Sequence, residues 1–366
     1  MTDVLLPVAI AVPLVAATLP IGLGLRYDDA GWPVAAAATT ALAGIAAAIV
    51  ASVARGDRLS HALGGYRPPI GIELVADPLS AAVLALVAAV SLATLVFVRV
   101  AGPRGNPFYS GYLLLIGGLM GTVLTGDLFN LFVFLEIVGL TTYALVASGD
   151  GPASAVAALK YLIVGTVGAS FYLIGVGYLF LETGALNMVD VSRSLAGEVP
   201  WFEVPLYGRP PVAVAFGFIA IGLATKSAIF PLHTWQPDAY AEAPDGVTVL
   251  ISALASTSAA YAFARITWTV FTPAFFEVNT LVLEAVLVLA GTSLLVGSTL
   301  AAMQRRVKRM FAYSSVAQFG LIFLGIGVAV HPAAGETATR FAIYGTVVHL
   351  LGHAVIKGGL FATVGA

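Results

Sequence analysis

Three titratable side chains recur every four residues late in the sequence. His349, His353 and Lys357 all fall within the apolar segment 341–364. Side chains at this spacing lie on one face of an α-helix, each one turn above the last. Stacked acid–base groups on an apolar helix predict a proton relay. Two histidines four residues apart would also suit a metal ion, haem iron or simple packing, but no further ligand cluster lies nearby in the sequence.

Two more charged residues interrupt apolar segments. Glu136 follows eight uncharged residues, and Lys226 lies in the apolar run 211–232. A charge at the bilayer centre costs about 2.5–3.5 kcal/mol on insertion scales, so such residues usually serve an ion path. The alternatives are a structural ion pair, a protonated Glu136 that fixes helix packing, and a Lys226 that snorkels to loop carbonyls. A carboxylate that moved toward or away from Lys226 would favour protonation or deprotonation of the lysine. Such a pair would act as a proton switch.

A proline follows the second of these charges. Pro231 has no amide hydrogen, so it predicts a break in the helix just after Lys226. A broken helix at membrane depth frees backbone carbonyls, which are tolerated where they line a water-filled cavity. His233 comes two residues later. A place in a proton relay and an interfacial hydrogen-bonding role fit this histidine equally well.

The composition fits only a membrane protein. Among 366 residues, 59% are hydrophobic and 10% are charged, against about 25% charged in soluble domains. The chain has no cysteine, which excludes disulfides, iron–sulfur ligation and thiol nucleophiles. A net charge of −2 argues against a nucleic-acid partner. These figures predict an all-α polytopic protein whose partner is the lipid bilayer.

Long uninterrupted apolar runs favour transmembrane helices over the short alternating strands of a barrel. Since a helix needs about 20 residues to cross the hydrocarbon core, we expect about eleven spans. Exposed connectors are predicted at 55–77 and 182–210. The spans are predicted at 4–25, 33–54, 78–100, 109–126, 128–147, 155–181, 211–232, 247–270, 281–303, 311–330 and 341–364.

Orientation follows from one basic connector. Arg305, Arg306, Lys308 and Arg309 lie between the ninth and tenth predicted spans. Positively charged connectors stay in the cytoplasm. Nine predicted spans precede this connector, so the N-terminus is predicted on the outer side of the cell membrane. The first span follows no basic segment, so we interpret it as a retained helix and not as a cleaved signal.

Four ordered segments resemble one family of membrane proteins. TGDLFNLFVFLE (125–136) is similar to the fifth-helix signature of Mrp-type Na⁺/H⁺ antiporter subunits, those of the D type above all. KSAIFPLHTWQPDAYAEAP (226–244) is similar to a seventh-helix motif shared with antiporter-like subunits of respiratory complex I and membrane-bound hydrogenases. KRMFAYSSVAQFG (308–320) and HLLGHAVIKGGLF (349–361) resemble later family motifs.

The resemblance implies a fold of two inverted five-helix repeats. Three N-terminal helices (1–108) would precede a complete first repeat (109–270) and a partial second repeat (271–366). Glu136 and Lys226 would form the charge pair of the first half-channel. Lys357 would lie on a central relay with His349 and His353 beside it.

Two departures from the family pattern accompany the resemblance. Thr257 stands at the position where the eighth helix of D-type relatives has a connecting lysine. Ser256, Thr257 and Ser258 are therefore candidates for holding water in place of that lysine. The family usually has about fourteen helices, and the second broken helix has no counterpart here. A second chain that supplies the remaining helices is the interpretation we favour over a truncated fragment or a degenerate second channel.

Three functional hypotheses follow. The first is a proton-translocating subunit of a multisubunit Na⁺/H⁺ antiporter that works with other hydrophobic subunits on protons and Na⁺. The second is the proton-pumping arm of a redox complex, and only then would the chain be part of a translocase. The third is a scaffold with a degenerate channel. No cofactor or metal is expected, and no catalytic chemistry is assigned to the chain itself. The sequence shows no cluster of oxygen ligands that would form a Na⁺ site.

Overall fold

The computed structural model describes residues 2–200 and 204–365 and forms a bundle of membrane-length helices. Within those residues, ten helices are long and apolar enough to cross a membrane, and Pro210–Lys226 is a shorter apolar helix. The prediction of an all-α polytopic protein with about eleven spans is therefore confirmed. The division into repeats stays a prediction, and its last residue, Ala366, lies outside the described residues.

The helices of the first half are α1 (Leu5–Ala16), α2 (Thr18–Gly24), α3 (Gly31–Ala54), α4 (Pro78–Ala101), α5 (Asn106–Leu124), α6 (Leu128–Ala147), α7 (Pro152–Thr183) and α8 (Met188–Leu195). Those of the second half are α9 (Pro210–Lys226), α10 (Gln236–Glu242), α11 (Asp245–Leu250), α12 (Ser256–Ile266), α13 (Thr272–Val278), α14 (Thr280–Ala302), α15 (Val307–Val328) and α16 (Glu336–Gly365). Short 3₁₀ turns occupy Thr2–Val4 and Leu63–Gly65.

One span lies at the centre of the bundle. It runs from Asp245 to Val278 and is fully buried over its most apolar window. Two π-helical turns, Ile251–Ala255 and Thr267–Phe271, interrupt it. Such turns are rare and cluster at functional sites because they redirect the side chains around them. The first one immediately precedes Ser256.

The helix break is confirmed, but it begins earlier than Pro231. Helix α9 ends at Lys226 and the chain becomes helical again only at Gln236. The backbone of Ala228 adopts a left-handed conformation with φ of 56°, which ends the helix before the proline is reached. The predicted continuous span 211–232 is therefore wrong at its C-terminal end.

The two predicted connectors contain structure of their own. Strands β1 (Leu59–Ala62) and β2 (Glu73–Ala76) pair antiparallel inside the segment 55–77, with Leu59 opposite Ala76. Four-residue strands leave too little alternation for a sequence pattern to reveal. The other connector contains the amphipathic helix α8, whose first turn is capped by the Asn187 side chain.

Candidate functional site

A buried ion pair joins the first two intramembrane charges. Lys226 Nζ at the end of α9 lies 2.8 Å from Glu136 Oε1 in the middle of α6. The lysine side chain is 10% exposed and that of the glutamate 20%. The Leu135 carbonyl is a further acceptor, 3.5 Å from the ammonium. The structure thus brings together two charges that lie 90 residues apart in the sequence.

The nonhelical segment after Lys226 is fixed by hydrogen bonds to its neighbours. Trp235 donates its indole N–H to the Thr225 carbonyl at 2.9 Å, which folds the segment back onto the end of α9. The Phe230 amide donates to Ser293 Oγ of α14 at 3.1 Å. Because the carbonyls and amides of a broken helix need partners, these bonds hold the break in one conformation.

Close packing of α7 on α9 sets the position of Lys226. A Cβ on Gly222, one turn before the lysine, would lie 2.7 Å from the Gly168 carbonyl oxygen and 2.8 Å from the Tyr172 amide nitrogen. Only glycine allows this approach of the two backbones. Tyr172 in turn donates to the Leu128 carbonyl at 3.0 Å, which ties α7 to the first turn of α6.

His233 lies within the break but apart from the ion pair. It is 7% exposed, and its ring faces Phe230 at 5.4 Å and Tyr313 at 5.9 Å between centroids. Among the described residues it makes neither an ion pair nor a hydrogen bond with Glu136 or Lys226. Its Nδ1 is buried without a hydrogen-bond partner there. The observed surroundings of His233 are therefore mainly aromatic.

The three titratable residues of α16 lie on one helix face, as their spacing predicts, and that face lines a cavity. His349, His353 and Lys357 line a cavity of about 560 Å³ between α15 and α16, together with Ser314 and Gln318. His353 and Lys357 are 4% and 3% exposed. The cavity follows the helix for two turns, so the one-face geometry brings the three side chains to a single space.

Lys357 is a buried cation whose partners are neutral. Its ammonium donates to the Phe311 carbonyl at 2.9 Å and to the Ser314 hydroxyl. Within residues 2–200 and 204–365 no carboxylate lies in ion-pair distance of it. Both ring nitrogens of His353 and Nε2 of His349 are buried without hydrogen-bond partners in the same part of the chain. Buried polar atoms of this kind usually bind water.

The three hydroxyl residues proposed as water holders differ from one another. Ser256 Oγ lies 3.2 Å from Gln236 Nε2 and 3.2 Å from the Tyr240 hydroxyl. Thr257 Oγ1 is buried and has no hydrogen-bond partner among the described residues. Ser258 donates to the Ala255 carbonyl of its own turn at 2.8 Å. Of the three residues, Thr257 is therefore the one whose hydroxyl has no hydrogen-bond partner in the described structure.

A row of ion pairs at one membrane face was missed by the sequence reasoning. Asp238 Oδ2 lies 2.7 Å from Lys160, and its Oδ1 lies 2.7 Å from Arg309. Glu242 and Asp245 pair in turn with Arg306 at 2.7 Å and Lys308 at 2.5 Å. The acid spacing after the break and the basic segment 305–309 were visible in the sequence, but nothing there showed that they meet.

A metal centre finds no support in the described part of the chain. No group of three or more His, Cys, Asp or Glu side chains there is placed to hold an ion. The two histidines of α16 lie one turn apart, and Phe319 packs edge-on against His353 at 4.7 Å. The other polar groups of the cavity are His349, Gln318, Ser314 and the Lys357 ammonium, and none of them is a carboxylate that would balance the charge of a metal ion beside that cation.

Comparison with known proteins extends over nearly the whole chain. The family described as NADH:quinone oxidoreductase/Mrp antiporter, transmembrane, matches residues 125–366. The N-type subunit of the NADH-quinone oxidoreductase of Desulforudis audaxviator is 44% identical over 340 residues, 91% of this chain and 63% of the relative. The D-type subunit of the Na⁺/H⁺ antiporter of Alkalihalophilus pseudofirmus is 31% identical over 309 residues, 83% of this chain and 58% of the relative. The chain thus spans less than two thirds of either relative.

Two solved multisubunit membrane complexes contain a similar fold. A chain of the archaeal membrane-bound sulfane sulfur reductase superposes with a TM-score of 0.88 at 31% identity, covering 98% of this chain and 70% of that one. A chain of the Mrp complex from Dietzia sp. superposes with a TM-score of 0.86 at 27% identity, covering 100% of this chain and 64% of that one. The chain belongs to the transmembrane family that NADH:quinone oxidoreductases and Mrp antiporters share.

Proposed function

We propose that this chain translocates protons as one subunit of a multisubunit membrane complex, with the Glu136–Lys226 pair as its first proton-binding station. The 2.8 Å contact between the two side chains inside apolar helices carries the proposal. An intramembrane ion pair is costly to bury and is retained where it serves an ion path. The break directly after Lys226 supports a hydrated approach to it.

The proposed transfer uses the ion pair as a switch. While Glu136 is close, its negative charge keeps the proton on Lys226. If the carboxylate moves away or becomes protonated, the buried ammonium loses its counter-charge and releases a proton to the next acceptor. The second station is the α16 cavity, where His353 and Lys357 lie side by side. The proton enters and leaves unchanged, so the chain needs no chemistry beyond acid–base transfer.

Two driving reactions are proposed for the complex. Cation/proton antiport is the first, supported by similarity to a protein named as the D-type subunit of a Na⁺/H⁺ antiporter. Redox-driven pumping is the second, and the 44% identity to the N-type subunit of a NADH-quinone oxidoreductase favours it. A scaffold with a degenerate channel is the least supported of the three hypotheses, because the Glu136–Lys226 pair is intact.

We further propose that another hydrophobic subunit covers the α15–α16 cavity. The two histidines leave ring nitrogens there without partners among the described residues, and Lys357 bonds only neutral oxygens in the same part of the chain. A helix from a second chain that brings a carboxylate or water to this cavity would satisfy them. The complex would lie in the cell membrane, with the N-terminus of this chain outside and the basic segment 305–309 in the cytoplasm.

The proposal is tested in everted vesicles from an antiporter-deficient strain that expresses the complete complex. We expect Glu136→Ala and Lys226→Ala to abolish Na⁺-dependent collapse of a preformed pH gradient. Glu284→Gln is the matched control, because Glu284 is exposed on α14 and forms no ion pair in the described structure. Unchanged collapse in either alanine variant would refute the proton path.

The driving reaction is tested separately by purification of the intact complex. Copurifying flavin or iron–sulfur proteins would support redox-driven pumping, and copurification of small hydrophobic subunits alone would support the antiporter.

A further inference from the structure

A long apolar groove lies between α5 and α6, apart from the ion pair and from the α16 cavity. It encloses about 510 Å³. Its lining residues recur every three or four positions on both helices, so they follow one face of each. From Ser148 to Leu140 the groove follows α6 for about 12 Å, at a rise of about 1.5 Å per residue. The apolar part of its lining includes Phe108, Gly111, Leu114, Leu140, Ala144 and Leu145.

The groove is open at its side and closes toward the middle of the membrane. Leu114 and Leu140 at its rim are 38% and 55% exposed. One turn beyond Leu114 the two helices touch, because a Cβ on Gly118 would lie 3.2 Å from the Val138 amide nitrogen. Half of the hydrocarbon core is about 15 Å thick. The groove therefore has nearly the length of one leaflet and suits a single acyl chain.

The mouth of the groove contains a cation that lacks a carboxylate partner. Arg104 lines the mouth and is exposed. Its guanidinium donates to the Val100 carbonyl at 3.1 Å, and within residues 2–200 and 204–365 it forms no ion pair. The planar donor fork of arginine suits the oxygens of a phosphate. A phosphate-binding group thus stands above an apolar groove.

A second, polar cavity of about 460 Å³ meets the groove at its mouth. Pro103 and Ser148 line both of them. Two of the three carboxylates in the polar cavity already form ion pairs with the basic segment 305–309. The third, Asp150, is exposed and has no cationic partner in the part of the chain that the structure describes. The charges left without a counter-ion around the mouth are therefore one guanidinium and one carboxylate.

We propose that this groove binds one phospholipid of the phosphatidylethanolamine type, with an acyl chain between α5 and α6, its phosphate on Arg104 and its ammonium toward Asp150. A zwitterionic head group complements one free cation and one free anion. Phosphatidylglycerol has the phosphate but no amine, and the quaternary ammonium of phosphatidylcholine has no N–H to donate to a carboxylate. The site does not depend on the proposed proton path, because neither Glu136 nor Lys226 lines it.

The phosphate contact is tested by native mass spectrometry of the purified complex after its lipids have been removed with detergent. The complex is titrated separately with phosphatidylethanolamine, phosphatidylglycerol and phosphatidylcholine. We expect the unsubstituted chain to prefer phosphatidylethanolamine, and Arg104→Gln to weaken all three lipids about tenfold, since a hydrogen bond to a charged group contributes at least that factor. Arg99→Gln is the matched control, because Arg99 is also exposed and stacks on Trp32 at 4.8 Å outside the groove. It should leave the three affinities unchanged.

The head-group preference is tested by Asp150→Asn. This change removes only the charge of the carboxylate, so the preference for phosphatidylethanolamine over phosphatidylglycerol should disappear while phosphatidylglycerol binds at least as well as before. Asp28→Asn is the control, because Asp28 is likewise exposed and forms no ion pair among the described residues. It should keep the preference. Equal affinity of the unsubstituted complex for the three lipids would overturn the proposal.

The acyl-chain contact is tested by filling the groove. Ala144→Phe should weaken phosphatidylethanolamine at least about tenfold, because the ring takes the place of buried methylenes. Ala147→Phe, exposed on the same helix but outside the groove, should bind normally, and equal binding by the two variants would refute the site. Since the chain has no cysteine, Ala144→Cys can carry a photoreactive maleimide in the native membrane. We expect a crosslink to phospholipid, and a crosslink to another subunit instead would make the groove a subunit contact and overturn the proposal.

Discussion

A second buried ion pair allows the contribution of buried charges to stability to be tested without any transport assay. Arg265 of α12 lies 2.5 Å from Asp77, and their side chains are 7% and 24% exposed. Asp77 also caps α4, since it accepts from the Ser80 amide at 3.0 Å while its own amide donates to Ser80 Oγ at 2.8 Å. One carboxylate therefore holds both a helix end and the buried guanidinium of the central span.

Asp77→Asn separates these two tasks. Asparagine caps helices about as well as aspartate, so the helix end is preserved while the counter-charge is lost. Removal of one partner from a buried pair costs about 3–5 kcal/mol. Because a quarter of the Asp77 side chain is exposed, we expect the free energy of unfolding to fall by about 3 kcal/mol. Asp77→Asn combined with Arg265→Met should recover most of it, since no uncompensated charge remains.

Asp127→Asn is the matched control. Asp127 caps α6 by accepting from the Asn130 amide at 2.7 Å, and it has no cationic partner in the described residues. We expect its substitution to change the free energy of unfolding by less than about 0.5 kcal/mol. Titration of the purified protein in mixed SDS and dodecylmaltoside micelles measures these values. Equal stability of Asp77→Asn and Asp127→Asn would refute the argument from the buried pair.

The same two residues predict opposite pH dependence. Burial alone raises the pKa of Asp77, but the Arg265 charge and the bonds with Ser80 outweigh it and hold the pKa below its usual value. Its stabilisation is therefore present above the unfolded pKa, about 3.9, and is lost as the pH falls through the folded value. Burial raises the pKa of Asp127 despite its bonds to backbone amides, so this residue lowers stability as the pH rises through its titration. Asp77→Asn should remove the acid-side loss, and Asp127→Asn should leave it in place.

Three further predictions follow from the helix contacts. Gly222→Ala should destabilise the protein by about 1–3 kcal/mol, because the added Cβ meets the α7 backbone. Gly217→Ala is its control, since no atom lies within 4 Å of the added Cβ, and it should be neutral or stabilising in the same micelle titration. Arg309→Met should lower stability by less than about 1 kcal/mol, and by less still in high salt, because both members of its pair are about 30% exposed. Lys357→Met should leave stability unchanged or raised, because it removes a buried cation without a carboxylate partner, yet abolish vesicle transport under the proposed function.

The sequence could predict what depends on local spacing. Apolar run lengths predicted the spans, and the four-residue spacing of His349, His353 and Lys357 predicted that they share one helix face, because a helix repeats locally. The break near Pro231 was predicted from the missing amide hydrogen of proline. Its earlier start depends on the left-handed backbone of Ala228, and no propensity of alanine indicates that conformation.

Contacts between distant segments could not be predicted in the same way. Asp77 and Arg265 are 188 residues apart in the sequence, and each alone resembles an ordinary charge at the end of a span. Gln236 lies between two predicted spans, and only the fold shows that it is fully buried, because α10 packs against α7 and α15. The Glu136–Lys226 contact was anticipated through the family resemblance, since no local pattern joins α6 to α9.

The central claim is that Glu136 and Lys226 act as one proton-binding unit. Proton flux through the reconstituted complex should be measured for Glu136→Gln, Lys226→Met and the double variant, with Glu284→Gln as control. If the pair is one unit, each single change lowers the proton flux by a large factor and the double variant is no slower than the slower single variant. Independent, additive losses would contradict the account, and so would full transport by the double variant.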